Sequence, residues 1–224
     1  MATYLLVHGA WHGGWCWRRV TDILQSAGHR VFTPTLTGLG ERAHLASPDV
    51  DLDCHINDVL GVIDMEELDD VILCGHSYGG QVITPVLDQR VEKFRAAVWL
   101  DAFVSEDGKS LMDGWPPERA QSVREAVAKS GDGWKMPPMP PEYFGVMNSD
   151  DAAWVTRRCV PQPLNTFTQP VHLTGAWEKV AKKMYLLAEL HPNSSFERFS
   201  VPLSKKPDWD VRSVKSGHDV MIDT

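Results

Sequence analysis

Cysteine is scarce in this chain of 224 residues: there are four, Cys16, Cys54, Cys74 and Cys159, scattered without paired spacing. That argues against a disulfide framework or a cysteine-based zinc site, and the free thiols point to a reducing compartment, the cytoplasm. Long apolar runs are missing too; none approaches the roughly 18 residues that span a bilayer. The N-terminus has no basic stretch and no cleavage site of a signal peptide, and its apolar residues lead straight into a candidate strand. Positive charge is in deficit, 22 Lys and Arg against 30 Asp and Glu for a net charge of −8. Such a balance disfavours a nucleic-acid or anionic-membrane surface. There is no internal repeat and no low-complexity tail. With 43% apolar and 23% charged residues, the chain is neither disordered nor fibrous. Its length suits one domain with room for one insertion.

What is present is an alternation of short apolar runs with helix-length stretches. Tyr4–Val7, His29–Phe32, Val71–Cys74, Ala96–Leu100 and Met184–Ala188 are strand candidates, with Asp210–Val214 a weaker sixth. The strongest are continuously apolar, as parallel strands covered on both faces should be. Trp17–Ala27, Ile56–Leu68 and Tyr78–Gln89 have helical length and spacing, and Gly28 reads as a stop. This predicts an open α/β sheet. From about Val104 to Trp177 the rhythm fails, and prolines, methionines and tryptophans accumulate. That segment reads as an inserted lid, and its run Pro137-Pro138-Met139-Pro140-Pro141 as a stiff loop within it rather than a polyproline ligand.

The decisive motif is Gly75-His76-Ser77-Tyr78-Gly79, directly after a strand candidate and directly before a helix candidate. A serine at such a turn has a strained backbone and a hydroxyl projecting from the sheet edge, and the flanking glycines avoid collision. Ser77 is therefore the candidate nucleophile. The Tyr78 amide, at the helix N-terminus, is a candidate oxyanion donor. A second donor is expected from the glycine-rich turn His8-Gly9-Ala10-Trp11-His12-Gly13-Gly14, with Ala10 the candidate. His8 and His12 have the spacing of a helical zinc motif, but they sit in a loop with no neighbouring carboxylate or cysteine, so no metal is assigned.

The general base is expected late in the chain, at His218 in Gly217-His218-Asp219, while His76 should point into the structure. The third member must be a carboxylate. Glu189 follows the fifth strand candidate and Asp101 follows the fourth, and either can reach His218. Glu189 is preferred because the order serine, acid, histidine places the acid one strand before the base; Asp101 is the alternative. Gly38-Leu39-Gly40-Glu41-Arg42-Ala43 mimics a dinucleotide fingerprint, but it follows the second strand candidate, and Glu41 would repel a pyrophosphate. No cofactor is expected.

With these residues placed, the chain resembles the α/β-hydrolase superfamily. Within it, the resemblance is to the branch of plant methyl esterases, hydroxynitrile lyases and bacterial pyrethroid-hydrolase-like carboxylesterases. It is strongest over Leu5–Leu45, Cys74–Thr84, Leu100-Asp101-Ala102-Phe103 and Gly217-His218-Asp219-Val220-Met221. It implies about six mostly parallel strands with flanking helices, and a lid between strands four and five spanning about 104–177. It also implies Ser77 as nucleophile, His218 as base, and oxyanion amides from Ala10 and Tyr78. The lyases have a lysine after the catalytic histidine, where this chain has Asp219, and a threonine where it has Gly9; cyanohydrin cleavage is not expected.

The expected activity is a serine carboxylesterase acting on small hydrophobic esters, aromatic or pyrethroid-like ones included. Trp11, Trp115, Trp134, Trp154, Met112, Met136, Met139 and Met147 are candidates to line its pocket. A cofactor-free C–C lyase or hydrolase, or a non-catalytic ligand-binding module on the same fold, is the alternative. A homodimer is compatible with the sequence. Two further expectations concern helices. Pro85 inside the helix after Ser77 removes the bond to the Gln81 carbonyl. And only six residues follow His218, too few for the closing helix usual in such hydrolases.

Overall fold

Six of the apolar runs lie side by side in one parallel sheet. The structure, a computed structural model, describes residues 1–191 and 196–223. Its strands are β1 (Thr3–Val7), β2 (Arg30–Phe32), β3 (Val71–His76), β4 (Phe94–Leu100), β5 (Lys135–Met136), β6 (Gln162–Pro163), β7 (Lys183–Ala188) and β8 (Trp209–Val214). The main sheet has the order β2-β1-β3-β4-β7-β8 with every neighbour parallel, while β5 and β6 form a separate antiparallel pair. All six strand candidates fall on the six strands of the main sheet. The helices are α1 (Arg18–Ser26), α2 (Leu52–Met65), α3 (Gly79–Arg90), α4 (Pro117–Ser130), α5 (Ser149–Thr156), α6 (Asn165–Thr168), α7 (Glu197–Leu203) and α8 (Val220–Asp223).

Alternation along the strands sends side chains into two cores, one on each face of the sheet. Leu5, Val7 and Leu73 join Val59, Ile63 and Val82 from α2 and α3 on one face. Leu6 and Cys74 turn to the other, against Cys16, Trp17, Val220, Met221 and Ile222. The expectation that no helix could follow His218 needs correction: α8 is a single turn, and its three buried apolar residues cover this face beside α1. Pro85 sits inside α3 as expected, and the Gln81 carbonyl it leaves free accepts the Ser105 hydroxyl at 3.4 Å. The segment between β4 and β7 holds α4–α6 and the β5–β6 pair, and it reaches back over the C-terminal edge of the main sheet. Among the described residues, no helix is long and apolar enough to cross a membrane.

Candidate active site

Parallel strands all end on the same edge, so the residues just after β1, β3, β4 and β8 converge there. Ser77 closes β3 and opens α3 with φ of +53°, a left-handed conformation that costs a non-glycine residue on the order of 1–3 kcal/mol. Its neighbours must be small. A Cβ on Gly75 would lie 2.7 Å from the Gly79 carbonyl, and one on Gly79 would lie 2.7 Å from the Val7 carbonyl. The strand-turn-helix is therefore built around these close approaches, with Ser77 at its apex.

His218 is held at the same edge by its backbone and by its ring. Its amide donates to the Phe144 carbonyl at 2.6 Å, and its own carbonyl accepts from His76 Nε2 at 2.9 Å. The ring stacks on Phe196 with planes 11° apart and on Phe144 with planes 20° apart. Its Nδ1 donates to Asp101 Oδ2 at 2.5 Å. The preferred acid, Glu189, is not at this position. It follows buried Ala188 on β7, so strand alternation turns it to solvent, where it accepts the Ser213 hydroxyl. The carboxylate against His218 is the alternative, Asp101, at the end of β4.

Asp101 is fully buried and also in the left-handed region, with φ of +41°. Aspartate tolerates that conformation better than most residues. Its Oδ1 accepts the Ala188 amide at 3.1 Å, and its Oδ2 also accepts His191 Nδ1 at 3.2 Å. Burial opposes ionisation, but the bonds from His191 and His218 outweigh it and hold the carboxyl well below the usual range. His191 was not singled out from the sequence; a histidine before a proline in a polar loop gives no local signal.

The loop after β1 is pinned by histidines. His8 donates Nδ1–H to the Gly9 carbonyl at 2.8 Å and accepts the Leu36 amide on Nε2 at 3.1 Å. His12 donates to the Ala10 carbonyl at 2.7 Å and to Asp219 Oδ2 at 3.2 Å. Burial works against its charge, but Asp219 and Cys159 raise its pKa well above the ordinary value. Trp11, with φ of +64°, donates its amide to Gln162 Oε1 at 2.9 Å. The peptide after Ala10 is thus tied at both ends, one end by a buried glutamine of the inserted segment. The Ala10 and Tyr78 amides donate to no described group. The Tyr78 ring is anchored by its hydroxyl, which donates to His55 Nδ1 at 2.8 Å while His55 Nε2 donates to the Thr37 carbonyl.

Ala10, Ser77, Tyr78, His191 and His218 line one narrow cavity. Its other walls are aromatic: Trp11, Phe103, Trp115, Tyr143, Phe144, Phe167 and Phe196, with Arg119 alongside. Ser77 and His218 face this cavity together without a hydrogen bond between their side chains, a contact that often tightens only with substrate present. Of the eight tryptophans and methionines expected to line the pocket, only Trp11 and Trp115 do so. Trp154 instead packs on Trp15, Met136 supplies a carbonyl to the Trp11 indole, and Met147 is 84% exposed. Phenylalanines do the lining because the inserted segment folds Phe144 and Phe167 over the sheet edge, which period and composition do not reveal.

Among the described residues, Asp101, His191 and His218 are the only three candidate metal ligands within 4.8 Å of one another. Both Nδ1 atoms are already engaged with the carboxylate, so an ion bound through them would displace those bonds. His8 and His12, whose spacing suggested zinc, bond to backbone and to Asp219 instead.

The profile of the alpha/beta hydrolase family matches residues 4–224. The chain is 50% identical over 230 residues to a carbendazim hydrolyzing esterase of Nocardioides sp. (strain SG-4G), covering 100% of this chain and 95% of the relative. In structure it is similar to an extracellular alpha/beta-hydrolase from a Paenibacillus species that shares structural and functional homology with tobacco Salicylic Acid Binding Protein 2. That likeness has a TM-score of 0.86 at 24% identity and covers 100% of this chain and 94% of the other. A pyrethroid hydrolase from Sphingobium faniae JZ-2 is similar with a TM-score of 0.73 at 21% identity, covering 100% and 92%. At these identities the two structural likenesses bear on the fold alone.

Proposed function

This chain belongs to the alpha/beta hydrolase family and is a carboxylic ester hydrolase, and we propose that it cleaves small hydrophobic esters through an acyl-enzyme on Ser77. The reading is carried by the buried 2.5 Å pair of His218 and Asp101, set in the same aromatic-walled cavity as Ser77. In it, His218 Nε2 takes the Ser77 proton as Oγ attacks the ester carbonyl. Asp101 fixes the imidazole tautomer and balances the imidazolium that forms. The amides of Ala10 and Tyr78 hold the oxyanion, each worth on the order of 3 kcal/mol. His218 then protonates the leaving alcohol, and afterwards deprotonates the water that releases the acid.

The aromatic walls favour an apolar, planar substrate over a sugar. Carbendazim, for which the Nocardioides relative is named, belongs in the first assay beside aliphatic and aromatic p-nitrophenyl esters. The four unpaired thiols suit a reducing compartment such as the cytoplasm. Replacing Ser77 with alanine is expected to remove at least ~10⁴-fold of kcat/KM while leaving the thermal transition in place. Retained turnover in Ser77→Ala would overturn the acyl-enzyme.

A further inference from the structure

The steps above leave His191, a polar group in the cavity wall, without a task. His191 and His218 both bring Nδ1 to the same Asp101 oxygen, at 3.2 and 2.5 Å. Their rings stack with centroids 4.4 Å apart and planes 28° from parallel. Two near-parallel rings converging on one atom through Nδ1 both turn Nε2 away from it, and both rings line the cavity they share with Ser77. The His191 side chain is only 5% exposed, and its Nε2 bonds no described group. With Nδ1–H given to the carboxylate, a neutral imidazole carries its lone pair on Nε2. A buried acceptor that is left unpaired is costly, and one that faces a ligand cavity has an evident partner in the ligand.

We infer that His191 Nε2 is a specificity-determining acceptor for an O–H or N–H group on the atom next to the scissile carbonyl of the substrate. The inference rests on the acyl-enzyme reading and refines its substrate class to esters such as 2-hydroxy esters. The spacing fits. In that reading His218 serves the reacting oxygens, and the His191 ring stands beside it with centroids 4.4 Å apart, so a group next to the acyl carbon is the one it would meet. Elsewhere in the wall the Tyr143 hydroxyl already accepts from Arg119 at 2.8 Å, and the remaining rings, apart from His218, offer a donor no nitrogen lone pair. A site built to pair such a group discriminates strongly against the analogue that lacks it.

Methyl mandelate and methyl phenylacetate share a ring and a leaving group and differ only in that hydroxyl, so their ratio of kcat/KM reads the contact. The ratio is expected to favour methyl mandelate by about tenfold or more in the native enzyme, as one hydrogen bond can supply. His191→Asn keeps a donor near the place of Nδ1 and removes Nε2; it should lower both rates and bring the ratio close to one. A merely structural role would lower both rates and leave the ratio alone. A second readout needs no variant: mandelamide should inhibit p-nitrophenyl ester hydrolysis about tenfold more tightly than phenylacetamide. Equal inhibition, or a ratio that His191→Asn does not change, overturns the inference. If Ser77→Ala is inactive in the same assays, the acyl-enzyme reading outlives that failure; if Ser77→Ala still turns over, the reading itself is wrong.

Discussion

Two carboxylates are fully buried at the edge of this sheet, and each is paired with histidine, yet their surroundings set them apart. Asp101 has both oxygens satisfied, and its two histidines line a cavity. Asp219 bonds His12 through Oδ2, while its Oδ1 has no hydrogen-bond partner and lies 3.9 Å from His76 Nε2. Neither His12, which bonds Asp219, nor His76, which faces its Oδ1, is among the residues lining the cavity. The far nitrogen of His12 goes to the Ala10 carbonyl, and His76 Nε2 goes to the His218 carbonyl. The same pair of residue types is therefore open to chemistry, in the proposed reading, where its rings line a cavity, and is architecture where backbone takes the second nitrogen. His12 holds the loop of Ala10 and His76 the backbone of His218, the proposed oxyanion donor and base, so they act through what they position.

The sharpest way to break this distinction is to neutralise each acid in turn. Asp101→Asn should lower kcat/KM by about 10⁴-fold, since the amide leaves His218 in the wrong tautomer. Glu189→Gln in the same assay should behave as native, because that side chain bonds Ser213 at the surface. If Glu189→Gln were the crippled variant, the acid assigned here would be wrong.

Acid should attack the sealed side next. Burial, the largest influence on each, pushes His8 and His76 down to about 3 and His55 down to about 4. These depressed values make the sign clear. Above pH 6.5 the three are neutral folded or unfolded; below it, the unfolded chain binds protons that the folded state refuses. Each histidine then withdraws about 1.4 kcal/mol of stability per pH unit until its folded pKa is reached. Unfolding followed by circular dichroism should have its acid midpoint above pH 4. A protein still fully folded at pH 3.5 would show that these rings are not sealed.

A smaller effect is expected from Asp219→Asn. Removing the counter-charge of His12 should cost about 3 kcal/mol, lowering Tm by roughly 6–12 °C, with far less loss of activity than in Asp101→Asn. Calorimetry and kcat/KM on one preparation test both halves. A loss of activity equal to that of Asp101→Asn would erase the contrast between the two carboxylates.

Much of this was legible without coordinates. The six strands of the main sheet, α1–α3 and the placement of Ser77 follow from continuous apolar runs, helical spacing and glycines two residues either side of a serine. Those signals are local. His218 stood out because it follows the weak last strand, where a loop can return over Ser77. The acid did not, because two strand ends carry carboxylates and the choice turns on side-chain direction. Glu189 falls on the outward face beside β8, whereas the left-handed turn at Asp101 aims its carboxylate inward. The aromatic lining was misread for a similar reason. Which of the many rings in the inserted segment reach the cavity depends on how α4–α6 return over the sheet, not on their number.

The sequence by itself determined the α/β pattern, the strained serine turn and the late histidine, since each is written in residues within a few positions of one another. Only the tertiary structure decided that Asp101 meets His218 across 117 positions of chain, that His191 shares its oxygen, and that Gln162 holds the loop of Ala10. Those contacts depend on strand order and on the return path of the inserted segment. Both are settled by burying apolar area in common, which no short stretch of sequence records.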